Sequence, residues 1–237
     1  MKIIGHRGAR GLAPENTLAS FDIALEHKVD EIELDVRVTK DHRTALIHDA
    51  QLVDIAGNHL VVAQTTFAEL AKHKPGLVDL PTALKHIKRK VPVIIEVKPL
   101  VATELVIEIV KAFLEHGWKP GDFRFASYDQ DVLLALHAAL PEVQTIVIEN
   151  WSSVRARRRM KQLGTNQVSM LDYWLWGFFI RAVSRGGWEL NSFPPKKNRW
   201  WAKLFLGEGT NNPAKARKWA KYGLAGVITD YPDRFKR

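Results

Sequence analysis

Polar and apolar residues alternate without a break in EIELDVRVT, residues 31–39. Ile32, Leu34, Val36 and Val38 fall on one face of the strand this predicts, while Glu31, Glu33, Asp35 and Arg37 fall on the other. Shorter apolar runs predict strands at Lys2–Gly5, Val91–Lys98, Phe123–Ser127, Gln144–Glu149, Gln167–Leu171 and Gly226–Asp230. A short extended piece, Thr44–His48, pairs with or continues the second strand. Helical spacing recurs at Thr17–His27, Phe67–Lys72, Thr103–His116, Gln130–Ala139, Val154–Leu163, Trp176–Ser184 and Pro213–Tyr222. Strands alternating with helices imply a parallel sheet. About eight such units in 237 residues suit an α/β fold of the (β/α)8 TIM-barrel type better than an open sheet. The eighth strand has two candidates, Lys203–Leu206 and Glu189–Phe193, and Ser192–Trp201 reads as loop or insertion. Without repeats, linkers or composition breaks, residues 1–237 form a single domain.

The charged face of the second strand changes the picture. A parallel sheet is normally covered on both faces, so a row of carboxylates must point into the barrel rather than into water. Held close together there, they repel unless a cation sits between them, and oxygen donors suit Mg²⁺ or Ca²⁺ better than zinc. VPVIIEVK repeats the device, with Glu96 and Lys98 on one face and Ile95 and Val97 on the other. Barrel active sites gather at the C-terminal ends of the strands, so Glu33, Asp35 and Glu96 converge as three metal ligands. His6 ends the first strand and His48 ends the extended piece after the second. Histidines titrate near neutrality, so such a pair can supply a base and an acid. His27, His42, His59, His73, His86, His116 and His137 read as surface residues.

Composition narrows the classes. A hydrophobic fraction of 46% with 26% charged residues is that of a globular protein. Cysteine is absent, which removes disulfides and thiolate chemistry. The apolar pair Ile3-Ile4 meets Gly5-His6-Arg7 at once, unlike a signal peptide. The apolar stretch near Tyr173 to Ile180 is far short of the ~20 residues that span a bilayer. Both observations predict a cytoplasmic protein. The net charge of +9 favours anionic partners without choosing among phosphate esters, lipid surfaces and nucleic acid.

HRGARGLAPENT, EIELDVRVTKD, ALIHDAQL, VIIEVK and GVITDYPDRF, in that order, closely resemble the glycerophosphodiester phosphodiesterase family. The resemblance implies a TIM barrel that hydrolyses glycerophosphodiesters to sn-glycerol 3-phosphate and an alcohol with a divalent cation, Mg²⁺ or Ca²⁺. By motif, His6 and His48 match the catalytic histidines, and Glu33, Asp35 and Glu96 match the metal ligands. Arg7 and Lys98 match basic groups near the substrate phosphate. Glu15 and Asn16 match an element that orders the first loop, although Asn16 or Thr17 also reads as a plain helix cap. The attacker is water or the substrate's own glycerol hydroxyl. Two segments depart from the pattern. VDIAGNHL follows HDAQL with a short connection to Pro81-Thr82, and FLGEGTNNP replaces an expected aromatic strand before the last helix.

The substrate reading is therefore a small-molecule glycerophosphodiester. A second reading takes Trp174, Trp176 and Trp200-Trp201, with the basic run Arg155 to Lys161, as a rim in transient contact with an anionic membrane surface. It would make the enzyme a lysophospholipase D. The plain alternative is that the tryptophans pack and the basic run is a solvated helix face. An inactive ligand-binding barrel stays open beside these. No nucleic-acid motif is present, so none is expected as a partner, and no protein partner is inferable.

Overall fold

The computed structural model describes residues 1–54, 56–150, 152–172, 175–194 and 209–235. From the N-terminus run β1 (Lys2–His6), α1 (Leu18–Glu26) and β2 (Glu31–Val38). Then come β3 (Thr44–Ala45), β4 (Gln51–Val53), β5 (His59–Val61), α2 (Phe67–His73) and α3 (Leu80–Ile87). The second half is regular: β6 (Val93–Val97), α4 (Thr103–Glu115), β7 (Phe123–Ser127), α5 (Gln130–Ala139) and β8 (Gln144–Glu149). It ends with α6 (Ser153–Leu163), β9 (Gln167–Leu171), α7 (Gly177–Arg185), β10 (Glu189–Phe193), α8 (Pro213–Ala220) and β11 (Gly226–Thr229).

Eight of the strands are parallel neighbours in the order β1, β11, β10, β9, β8, β7, β6, β2, and β2 pairs back onto β1. The sheet is closed, as the TIM-barrel reading requires. Its outer surface carries Ile32, Leu34, Val36, Ile95, Val97 and Phe125, packed against helical residues such as Leu84, Val106, Val110, Leu133 and Leu136. Each such side chain contributes about 1.5–3 kcal/mol by leaving water. Inside the barrel Ile4, Ile94, Ala126, Ile146, Ile148 and Ile228 form a second, smaller cluster. At the N-terminal end a polar floor closes the barrel: Glu31 takes Lys2 at 2.8 Å and Arg124 at 3.2 Å, and Arg124 donates to Gln167 at 2.9 Å.

Two features differ from the sequence reading. α3, which begins where the short connection to Pro81-Thr82 ends, is not among the helices that the spacing predicts, yet Asp79 caps it by accepting from the Thr82 amide at 3.0 Å. Leu80, Ala83, Leu84 and Ile87 then face the core with helical spacing. The penultimate barrel strand is Glu189–Phe193, so the strand expected near FLGEGTNNP lies upstream of it and does end in an aromatic residue. The other candidate, Lys203–Leu206, lies outside the described residues. Between β2 and β6, the hairpin β4–β5 and α2 enclose a satellite core of Ala45, Ile47, Val62, Leu70 and Leu77. Among the described residues no helix is long and apolar enough to cross a membrane.

Candidate active site

The loop after β1 doubles back sharply. Arg7 and Asn16 both adopt positive φ, 50° and 57°. Gly8 does so at 80°, where a Cβ would strike Ser20 Oγ at 2.5 Å. The two readings of PENT divide between adjacent residues. Thr17 caps α1, accepting from the Ser20 amide at 3.3 Å. Asn16 instead clamps β2: its Nδ2 donates to Asp35 Oδ2 at 2.9 Å and its Oδ1 accepts the Asp35 amide at 3.2 Å.

Strand register sets the acidic cluster. His6 lies opposite Glu33, and Asp35 lies opposite Glu96. One carboxylate oxygen from each of Glu33, Asp35 and Glu96 falls within 4.8 Å of the others, and all three residues are buried. Glu33 Oε2 accepts the Arg7 amide at 2.9 Å, while its buried Oε1 accepts no hydrogen bond. Burial first, then the charges of Asp35 and Glu96, push Glu33 well above the usual carboxylate range. Burial raises Glu96 as well. Burial opposes ionisation of Asp35 too, but Lys98 and then Arg7 outweigh it and hold Asp35 far below its ordinary value. An unsatisfied oxygen among three buried hard donors is the environment that a divalent cation stabilises, so the residues fit one.

The two predicted phosphate groups are placed differently. Arg7 lines the cavity, but its guanidinium already holds Glu15 at 2.8 Å and Asp35 at 3.1 Å. Lys98 is not among the residues lining the cavity; its Nζ reaches Asp35 at 2.8 Å and also contacts Glu96. Both basic groups therefore neutralise the carboxylates first.

His6 and His48 line the same cavity as Glu33 and Glu96. His6 Nδ1 lies 2.7 Å from Asp230, which Arg10 also grips through Nε at 2.6 Å. Those contacts hold Asp230 ionised well below the usual range against its burial, so it only accepts and His6 Nδ1 carries the proton. The unprotonated Nε2 is then the basic atom. Burial lowers His6 to about 4, the Asp230 bond resisting and Arg10 and Arg7 assisting. Burial lowers His48 to about 4 likewise, Asp35 resisting and Lys98 and Arg7 assisting. His48 Nδ1 is 2.8 Å from Asp49, and Arg37 fixes its carbonyl at 2.9 Å.

Sequence reasoning assigned no role to Asp230, Arg10 or Asn211. Asn211 donates to Asp230 at 3.2 Å and accepts its amide at 2.8 Å. Nor did it identify Tyr128, whose hydroxyl meets Asn150 Oδ1 at 3.2 Å in the cavity wall. The usable signal was position: Asp230 follows the last strand directly, at the end of the barrel where His6 lies. Trp176 is exposed and outside the cavity lining, and Trp174, Trp200 and Trp201 fall outside the described residues. The basic run is not uniformly solvated. Arg159 is buried and donates to the carbonyls of Ile148 at 2.8 Å and Ser127 at 3.3 Å.

Comparison with known proteins gives a consistent picture. Residues 6–234 match the "Glycerophosphoryl diester phosphodiesterase family". A Bacillus subtilis "Glycerophosphodiester phosphodiesterase" is 28% identical over 262 residues, covering 99% of this chain and 85% of the relative. A second Bacillus subtilis protein, YhdW, is 30% identical over 253 residues, 98% and 96% of the two chains. Among solved structures, an Oleispira antarctica phosphodiesterase in complex with the product sn-glycerol-3-phosphate superposes with a TM-score of 0.82 at 22% identity. That match covers 99% of this chain and 94% of the other.

Proposed function

From the premise that this chain belongs to the glycerophosphoryl diester phosphodiesterase family, a family of phosphoric diester hydrolases, we propose the reaction and the residues that perform it. The substrate is a glycerophosphodiester, and the products are sn-glycerol 3-phosphate and an alcohol. The carrying observation is the convergence in one cavity of Glu33 and Glu96, backed by Asp35, with two neutral histidines.

Glu33, Asp35 and Glu96 would hold a divalent cation, Mg²⁺ or Ca²⁺. When bound, it supplies positive charge against the non-bridging phosphate oxygens. Arg7, at the cavity wall, adds a fixed cation on the same side, and Lys98 keeps Asp35 charged and opposes the upward push of burial on Glu96. Losing one such preorganised group typically costs about 10²–10³ in rate.

His6 and His48 divide the proton transfers. Held at about 4, both are neutral at physiological pH and able to accept a proton. One takes the proton from the attacking hydroxyl, of water or of the substrate's glycerol. The other delivers a proton to the leaving alkoxide, the negative phosphodiester favouring its charged form on entry. Each transfer is worth about 10²–10⁴. The carboxylate behind His6 keeps its Nδ1 protonated and aims Nε2 inward, which preorganises a base.

The test is release of glycerol 3-phosphate from glycerophosphocholine and glycerophosphoethanolamine, with and without chelator. Turnover abolished by chelation and by His6→Ala is the expected result. Folded protein that releases nothing with Mg²⁺ or Ca²⁺ supplied defeats the reading and leaves the inactive barrel.

A further inference from the structure

The barrel mouth has two unlike halves. β1, β2, β6 and β11 or the residues beside them supply His6, Glu33, Glu96 and Asp230. Across the cavity the wall is mostly apolar, with Ile148, Leu171, Phe193 and Pro194 beside Ser169 and Asn150, from β8, β9 and the end of β10. β8 and β9 pair, so the residues described after their C-terminal ends are neighbours outside that wall. They and the first helical turns beyond them carry Val154, Trp176 and Phe178, exposed by 79%, 64% and 75%. α7 buries Ile180 and Val183, so Phe178 lies off the stripe that the helix packs inward. Single exposed apolar residues are ordinary, but three among these neighbouring residues at the mouth of a cavity form a patch.

The charge beside this patch is of one sign. α6, SVRARRRMKQL, carries five basic residues and no acidic one. Arg155 is engaged by Glu149 at 2.6 Å, and Arg159 is buried against backbone carbonyls. Arg157, Arg158 and Lys161 are exposed and pair with no carboxylate among the described residues. The whole chain carries +9.

We propose that this edge of the mouth is a docking surface for an anionic lipid bilayer. Val154, Trp176 and Phe178 enter the head-group boundary, and Arg157 and Arg158 lie against lipid phosphates. Duplex nucleic acid would use the arginines but give the three apolar side chains nothing to bury against, and a single strand would stack on the two aromatic rings and leave Val154 in water. An acidic protein would use the arginines equally, yet the patch lies on the same side of the mouth as the apolar part of the cavity wall, which suits an interface that delivers ligand. The proposal rests on the hydrolase reading only for what the docked site reaches, namely phosphodiester head groups at the surface.

The full chain is sedimented with vesicles of phosphatidylcholine alone and of equimolar phosphatidylcholine and phosphatidylglycerol. Binding to the anionic vesicles, weakened by salt, is expected. Each basic residue at such a surface is worth about fivefold in affinity. The Arg157→Glu/Arg158→Glu variant should therefore bind at least about thirtyfold more weakly. Trp176→Ser/Phe178→Ser should also lose binding, at any salt. Both variants should keep the wild-type melting temperature and the wild-type turnover of soluble glycerophosphocholine, since none of the four residues touches the catalytic groups. Wild-type protein that ignores anionic vesicles overturns the proposal, as does equal binding by either variant. A concentration-dependent dimer in ultracentrifugation, dispersed by Trp176→Ser/Phe178→Ser, also overturns it and makes the patch a self-association face. Glycerophosphocholine turnover separates the two readings: failed docking with turnover intact strikes only this proposal, and absent turnover strikes the hydrolase reading.

Discussion

Asp230→Asn tests the His6 half of the site most directly. The Asp230 carboxylate faces His6 Nδ1 at 2.7 Å, Arg10 Nε at 2.6 Å and Asn211 Nδ2 at 3.2 Å. An amide keeps one acceptor and converts the other into a donor. His6 Nδ1 and Arg10 Nε share Oδ1, so the amide oxygen takes that place and the amide N–H takes the Oδ2 place, against Asn211 Nδ2 and Arg10 Nη2, which only donate. His6 keeps its tautomer, with Nδ1 donating, but now faces a neutral oxygen. The base stays in place but is weakened, because the carboxylate that had resisted the lowering of its pKa is gone. A general base contributes about 10²–10⁴ in rate, and weakening one without displacing it should cost about 10² in kcat. KM should change little, because Asp230 is not part of the cavity lining.

The same substitution has a stability cost that must be separated from catalysis. Arg10 loses its charged partner while its side chain is 7% exposed, and Glu15 at 4.0 Å is a poor replacement. Breaking a buried pair costs about 3–5 kcal/mol. That corresponds to a melting temperature lowered by roughly 10 °C at this chain length. Turnover is therefore measured well below the variant's melting point, beside His6→Ala and the double variant. If Asp230 acts through His6, the double variant is no slower than His6→Ala alone. A folded Asp230→Asn protein within tenfold of wild-type kcat, or additive losses in the double variant, refutes the argument.

Three further outcomes follow from the site and its supports. Chelator should lower the melting temperature of wild-type protein, since a cation bound only by the folded state at a hundredfold excess over Kd adds about 3 kcal/mol. Glu33→Gln should lose that response and about 10²–10³ in turnover; an undiminished response would remove Glu33 from the ligand set. His6 titrates at about 4 folded against 6.5 as a free side chain, so the unfolded chain takes the proton first. Its stabilising contribution is complete above that higher value and is lost as pH falls toward about 4, about 3 kcal/mol in all. In chelated protein His6→Gln should remove that part of the fall, and an unaltered melting curve against pH would disprove it. Arg159→Ala should cost about 2–4 kcal/mol by orphaning buried carbonyls, whereas Arg158→Ala stays within about 0.5 kcal/mol. Equal denaturation midpoints for the two would contradict the burial pattern.

The acidic half of the site was legible because it depends on local rules. Period-two alternation in EIELDVRV puts Glu33 and Asp35 on the face opposite Ile32, Leu34 and Val36. A parallel sheet forces that face into the barrel, and register with β6 brings Glu96 level with Asp35. The His6 half depends on closure. Gly5 pairs with Thr229 only because β1 and β11 join the ends of the sheet, which places Asp230 beside a residue 224 positions away. No periodicity carries that distance. Arg7 and Lys98 show a different limit, since motif position identifies a cation but not which anion it holds. Asp35 and Glu15 compete with any ligand for Arg7.

Elsewhere the spacing was present and charge obscured it. α6 buries Ala156, Arg159, Met160 and Leu163, which are positions i, i+3, i+4 and i+7 of one helical stripe. Reading the basic run as a block discards that phase, although Arg159 sits where a core residue belongs and Arg157 and Arg158 do not. The long aliphatic stem of arginine allows this, because it packs among apolar neighbours while the guanidinium reaches the carbonyls of Ile148 and Ser127. Five basic residues in a row of turns thus serve three ends: Arg159 ties α6 to the β7 and β8 ends, Arg155 neutralises buried Glu149, and the remainder face outward. Phase within the helix, rather than the count of charges, separates the residues that hold the barrel together from those left to meet something else.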